Sequence, residues 1–378
     1  TTVYSDSSNP DPTTLVSTNI EPQYLDEFIV GLEANDLLPG WRFKLNGIYR
    51  TLGAVLEDAD LEIYAVPAFC ADNPAACGGE TSLSVGGGGY VLINPGKDAT
   101  FNVVPQGGFA GGLLTLPAEY IDLPEAERDY YAVEFSFERQ FDGFWGLQGS
   151  YVWSISEGNY EGGVKSDNGQ DDVGLTQDFD EPAWMDGSYG YLPNDRRHQF
   201  KLFGFVQPTD WLQLGANVRV SSPRKYGCIG IYPTDDGRGA DPFGNGGSDT
   251  WYCGDRSSTV NIGGEEYATQ SILVGRGNGF DGEWEKRVDL SVQIRPQFEL
   301  LRNMAFRVDV FNVFNFDDPV DFNEVGDADG PLYAGDAAFP GGALLDPQRG
   351  YVPLDPNYGE ITRYQTPRYV RFGVSFDF

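Results

Sequence analysis

Nine stretches of this chain alternate apolar and polar residues with a period of two, and the links between them are by turns short and long. A period of two marks a strand that is wet on one face and dry on the other. The stretches are 24–32, 41–51, 129–141, 145–156, 196–206, 211–221, 285–297, 304–315 and 368–378. Tight turns fall at 36–40, 142–144, 208–210 and 300–303. The links 52–128, 157–195, 222–284 and 316–367 are far longer than the connections of an ordinary compact domain. In the third stretch Tyr131, Val133, Phe135 and Phe137 share one face, and Glu134, Ser136 and Glu138 the other. In the seventh, Val288, Leu290, Val292 and Ile294 oppose Arg287, Asp289, Ser291, Gln293 and Arg295. Helical periodicity is confined to short runs such as 124–128. The expectation is an all-β, antiparallel fold. Alternation alone leaves two forms open: a soluble sheet with a dry core, or a transmembrane β-barrel whose apolar face meets lipid.

Three placements favour the barrel, together with the short-turn, long-loop rhythm that barrels show. Trp41, Trp145 and Trp211 each follow a tight turn, at the height of an aromatic girdle among lipid headgroups. The last stretch puts Phe372, Val374, Phe376 and the final Phe378 on one face, and a terminal Phe on such a strand resembles the signal read by barrel-assembly machinery. The 57 acidic residues, against 25 basic, gather in the long links, as at Asp171, Asp172, Asp178, Asp180, Glu181 and Asp186. A net charge of −32 excludes a nucleic-acid binder, because a polyanion is repelled at every approach. No apolar run approaches the ~18 residues of a membrane helix.

Chemistry is sparse. One histidine and four cysteines leave little for a metal centre, and no nucleophile, histidine and carboxylate set is legible, so no enzyme is expected. His198, beside Arg197, reads as structural or girdle-associated. Cys70 with Cys77, and Cys228 with Cys253, lie close in sequence inside Gly/Asp-rich links, which predicts two local disulfides and an oxidising compartment. No cofactor is expected beyond a possible structural calcium, for which Asp235, Asp236, Asp241, Asp327 and Asp329 offer oxygens near Gly turns without forming a twelve-residue calcium loop. The Gly86–Gly89 run lacks the residues of a phosphate loop and reads as a turn. On the polar faces, Arg42, Lys44, Arg50, Glu134, Glu138, Lys201, Arg219, Arg287, Asp289, Arg295, Arg307, Asp309 and Arg371 are candidates to face a barrel lumen, where cross-strand pairing is their plainer role. Trp153, Trp184, Tyr226 and Trp251, with Tyr160, Tyr189, Tyr191 and Tyr232, are candidate ligand contacts in the long links. Packing of loop on loop is the equal alternative.

Single-chain barrels have even strand numbers and both ends in the periplasm, so an odd nine predicts the C-terminal part of a longer barrel, with 1–23 a remnant of an outer loop. A hairpin from 90–93 and 100–104 within the first long link is expected as a small loop feature rather than as further wall.

Four runs carry a family resemblance: 192–204 (LPNDRRHQFKLFG), 309–315 (DVFNVFN), 369–378 (YVRFGVSFDF) and 27–33 (EFIVGLE). They resemble strand motifs of TonB-dependent outer-membrane receptors, specifically the Oar-like branch, and the likeness spans the chain from about residue 24. That resemblance implies a barrel of about 22 strands, of which residues 24–378 would supply the last nine, filled by an N-terminal plug absent from this sequence. It also implies partners: the plug, the remaining strands, TonB acting through the plug, the assembly machinery and outer-membrane lipid. The expected location is the bacterial outer membrane, loops outward and C-terminus periplasmic. The expected function is active uptake of a bulky, scarce nutrient of the siderophore, oligosaccharide or peptide class. A surface adhesion scaffold that binds a partner by its loops is the alternative.

Overall fold

A computed structural model describes residues 12–376 apart from 36, 168, 170–175, 233–249, 300, 302 and 329–350. Nine long strands pair antiparallel in chain order: β1 (Tyr24–Asn35), β2 (Trp41–Gly53), β3 (Arg128–Arg139), β4 (Trp145–Gly158), β5 (His198–Thr209), β6 (Leu212–Ser221), β7 (Glu285–Ile294), β8 (Met304–Phe311) and β9 (Tyr369–Phe376). The two-residue strand Gly190–Tyr191 adds to the end of β4. The all-β antiparallel class expected from the alternation is the class found.

Boundaries move only where local chemistry intervenes. β5 runs on through a register shift between Val206 and Thr209, which places Trp211 in the turn rather than in β6. β8 stops at Phe311, short of the expected 315, because Asn312 and Asn315 adopt left-handed backbone (φ 50° and 54°). Asn is among the few residues that tolerate that conformation. The Asn312 side chain then closes the corner, donating to Phe316 O at 2.8 Å and to Thr366 O at 3.1 Å. The DVFNVFN run thus ends one wall strand and anchors the approach to the next.

The long links are not open loops. They form a packed layer at one end of the sheet. In the first, Glu57–Asp60 pairs with Tyr90–Ile93, and Ala99–Val103 with Gly112–Leu116, beside a helix at Ala65–Asp72. The expected hairpin between 90–93 and 100–104 is therefore replaced by two separate two-stranded sheets. The helix is also not at 124–128, where residues 124–127 are irregular and Arg128 opens β3. Leu61, Val91, Phe101 and Leu116 form a dry core there, joined by Tyr160, Phe179 and Met185 from the second link. Gly86 turns with φ +58°, where a Cβ would lie 1.8 Å from Tyr90 O, so this turn requires glycine.

The disulfides Cys70–Cys77 and Cys228–Cys253 both form, with Cα atoms 5.5 and 5.9 Å apart. The second, third and fourth links are clasped by a buried ion cluster that the sequence did not announce. Arg276 Nη2 meets Asp178 at 2.8 Å and its Nη1 meets Asp167 at 3.3 Å, while Arg224 spans Asp167 at 3.2 Å and Glu324. The Arg276 guanidinium also lies 4.3 Å over the Trp251 ring.

Candidate functional site

Directly paired residues of antiparallel strands point to the same face, so the register assigns every side chain of the sheet. One face is apolar along the middle of the strands, with charged residues such as Asp26, Arg139 and Lys286 only towards its ends: Phe43, Leu45, Phe135, Leu202, Val218, Val292, Val308 and Phe372 belong to it. These side chains have no covering layer. Leu32 is 74 % exposed, Val30 78 % and Phe372 77 %. A single-sided sheet with this much bare hydrocarbon is not a water-facing design. No helix among the described residues is long and apolar enough to cross a membrane.

Aromatic residues bound the apolar face at both ends. At the turn end Trp41 packs edge-on to Trp145, 6.1 Å between centroids, and the Arg139 guanidinium sits 3.8 Å over Trp145. At the other end Trp153 shares the face with His198, its direct partner, and with Val133. His198 Nδ1 lies 2.8 Å from Tyr151 Oη, and its ring stacks on Trp284 at 6.3 Å. Trp145 and Trp153 stand eight residues apart on one face of β4, about 26 Å along the strand. At a tilt of ~40° that spans roughly 20 Å, close to the ~25 Å apolar band of membrane barrels.

Two expectations change here. Trp153 is not in a loop; it sits on a wall strand at the second aromatic level, and its spacing from Trp145 was the signal that could have shown it. Trp211 lies one residue before β6, with the parity of Gln213 and Asn217, so it does not extend the apolar face as Trp41 and Trp145 do. That parity is set by β6 itself, where Trp211 falls in phase with Gln213, Asn217 and Arg219.

The opposite face gathers every lumen candidate that lies in a strand; Arg295 falls just past the end of β7. Arg42, Lys44 and Arg50 on β2 align with Glu138, Ser136 and Tyr130 on β3. Asn46 aligns with Glu134, Lys201 with Arg219, Arg219 with Arg287, and Asp309 with Arg371. Much of this face is cross-linked by charge. Lys44 Nζ reaches Glu33 at 3.2 Å, Arg42 reaches Glu138 at 3.7 Å, and Arg50 pairs with Glu27. Asp309 is gripped by Arg307 at 2.7 Å and Arg371 at 2.8 Å, and Arg287 holds Asp289 at 2.8 Å. Asp289 Oδ1 also accepts the Asn312 N–H, at 2.8 Å, which ties this face to the corner after β8. Two cavities open on it, of about 450 and 310 Å³.

The loop layer holds the other candidates, and it buries most of them. Trp184, Tyr226 and Trp251 are 5 %, 1 % and 0 % exposed, and Tyr160 and Tyr232 are buried as well. Tyr226 stacks on Phe280 at 5.1 Å and meets Phe322 edge-on at 5.0 Å. Their work here is packing of loop on loop, because large rings supply the area a small core needs; Tyr189 remains exposed. Asp327 is likewise committed to structure. Its carboxylate accepts the Ile231 and Gly254 N–H groups, each at 2.9 Å, joining the third link to the fourth. Burial raises it to about 6. Asp235, Asp236, Asp241 and Asp329 lie outside the described residues, as do Asp171, Asp172 and Phe378.

Buried acids are a property of this layer. Burial pushes Glu57 up to about 8, and burial with the neighbouring charges of Asp58 and Asp60 pushes Asp180 up to about 9. Asp58 and Asp60 are raised to about 6, mainly by burial.

No protein-family model matches the chain. Over 97 % of its length it is 25 % identical to the TonB-dependent transporter Oar of Myxococcus xanthus, of which it spans 29 %. Among solved structures it is similar to the outer-membrane transporter YddB of Escherichia coli, at 10 % identity over 95 % of this chain and 33 % of that one, with a TM-score of 0.43. It is also similar to the ferric-catecholate import receptor Fiu of Escherichia coli K12, at 14 % identity over 81 % of this chain and 26 % of that one, with a TM-score of 0.39. At these scores the two structures support no assignment.

Proposed function

We propose that this chain, a relative of the TonB-dependent transporter Oar over nearly its whole length, forms wall and outer loops of a TonB-dependent transporter in a bacterial outer membrane. One observation carries the reading. Across nine strands the register puts a bare apolar face, bounded by tryptophans, on one side and every strand-borne lumen candidate on the other. Hydrocarbon is the solvent that suits the first face, and a water-filled or plugged interior suits the second.

The sheet's edges support continuation into further strands. Among the described residues β1 and β9 are not paired with each other, and both are exposed along almost their whole length. Such edges recruit partners, here the remaining strands of a barrel of about 22, with the chain's residues 24–378 as its closing part. In this reading the loop layer faces outward and β9 ends near the periplasm, where Phe372, Val374 and Phe376, with Phe378, would present the assembly signal. A plug inside the barrel would couple to TonB and release a bulky, scarce nutrient of the siderophore, oligosaccharide or peptide class. The polar wall binds and guides, without bond-making chemistry. Cells carrying or lacking the gene, each with and without functional TonB, test this by uptake of labelled nutrients. Gene-dependent uptake that vanishes with TonB is the expected result. Gene-dependent uptake that persists without TonB contradicts it.

A further inference from the structure

In a chain of net charge −32, the polar face of the wall places three cations side by side. Lys201 on β5 pairs directly with Arg219 on β6, which pairs directly with Arg287 on β7. Like charges in directly opposed positions repel, at a separation of about 5 Å between Cβ atoms. Most cations of this face are neutralised in place: Arg307 and Arg371 share Asp309, Lys44 has Glu33 and Arg42 has Glu138. Among the described residues Lys201 and Arg219 have neither an ion-pair partner nor a hydrogen-bond acceptor. The acids nearest in register are already engaged, Asp289 by Arg287 at 2.8 Å and Glu285 by Arg196 at 2.8 Å.

The two unpaired cations also join the two cavities of this face. Lys201 lines the larger, of about 450 Å³, with Lys44, Gln148, Ser150, Asn217 and the Arg42–Glu138 pair. Arg219 lines the smaller, of about 310 Å³, with Arg287, Arg363, Gln365, Thr366 and Glu285, the last already paired with Arg196. Arg363 is held only loosely, 4.0 Å from Asp321. The volumes suit small solutes, and the linings combine unspent positive charge with amide and hydroxyl groups that can orient an anion's oxygens.

We infer that Lys201 and Arg219, with Arg287 and Arg363, form an anion-binding subsite of the wall that takes a compact polyanion bearing clustered carboxylates or phosphates. The site begins beneath the Pro319–Phe322 and Ile361–Tyr364 pair and continues to the middle of the wall. It rests on the reading of this face as a barrel interior, and it narrows the substrate class of that interior to anionic solutes.

The complete protein, purified in detergent, is titrated by calorimetry with inorganic pyrophosphate and, in parallel, with tricarballylate. At least one is expected to bind, more weakly as salt rises. Lys201→Gln combined with Arg219→Gln weakens that binding by about ten-fold or more, the loss of two charge-assisted contacts. Arg307→Gln removes a cation already spent on Asp309 and leaves the affinity within about two-fold. Absence of binding by both anions, or an unchanged affinity in the double variant, overturns the site. In the same preparation Ser150→Cys is treated with a charged thiol reagent. Labelling without anion binding removes the anion site and leaves the barrel reading standing, and failure to label removes both.

Discussion

The wall and the loop layer use the same residue types and bury them oppositely. On the wall Val30, Leu32 and Phe372 stand bare, while in the loop layer Leu61, Val91 and Phe101 are sealed at 0 % exposure. Charge is inverted too. The wall keeps its ions on an open face in cross-strand pairs, whereas the loop layer draws Arg276, Lys165 and Asp178 inside. In the proposed reading the contrast follows from two solvents. A strand bathed in lipid needs no internal core, because the hydrocarbon is supplied from outside. A loop in water must build its own core, and with links this long and acidic it also closes buried ion clusters and disulfides.

The largest expected difference between the regions comes from emptying a core. Phe101→Ala should cost the loop layer about 3–5 kcal/mol, seen as lost hydrogen-exchange protection over 55–121, while the wall keeps its protection. A charge on the lipid face does the reverse. Val292→Arg, at mid-strand in β7, should cost about 2–4 kcal/mol in wall unfolding from liposomes and leave loop protection unchanged. Reducing Cys70–Cys77 opens a short closed loop worth about 2.5 kcal/mol of chain entropy; the loss should appear in the first link alone.

Next in size is a pH effect confined to the loops. Glu57, Asp58, Asp60 and Asp180 have folded pKa values raised above their unfolded ones, to about 8, 6, 6 and 9. The folded layer therefore holds extra protons, and stability present near pH 4 is lost as pH rises through 6 to 9. Exchange over 55–95, corrected for intrinsic rates, should quicken from pH 5 to pH 9, and Asp60→Asn should flatten the lower part of that rise. The smallest effect belongs to the exposed wall pairs. Lys44→Gln, which breaks the Glu33 contact, should change wall stability by less than about 1 kcal/mol.

The wall was legible because its environment is periodic. Strands β1 to β9 follow from alternation, and pairing in chain order follows from the tight turns; even the shortfall of β8 is encoded, in two asparagines able to turn left-handed. The strand-borne lumen candidates share one face for the same reason, since parity alone sorts Arg287 from Val288. The loop layer was opaque. Its partners are distant in sequence, as Arg276 with Asp178 or Asp327 with Gly254, and nothing periodic marks them. Trp184, Tyr226 and Trp251 leave ligand contact and loop packing equally open in the sequence, because nothing in long polar links shows that the links pack together. Trp211 was grouped with Trp41 and Trp145 by its place after a turn, although its parity with Gln213 and Asn217 already set it on the polar side.

Spin labels introduced one at a time along 287–294 of β7, in the complete protein in liposomes, test the two-solvent account most directly. Positions 288, 290, 292 and 294 should be open to oxygen dissolved in lipid, and 287, 289, 291 and 293 to a water-soluble nickel relaxant, in strict alternation. Labels at the even positions shielded from both reagents would mean that this face is packed against protein, and the membrane wall would not exist.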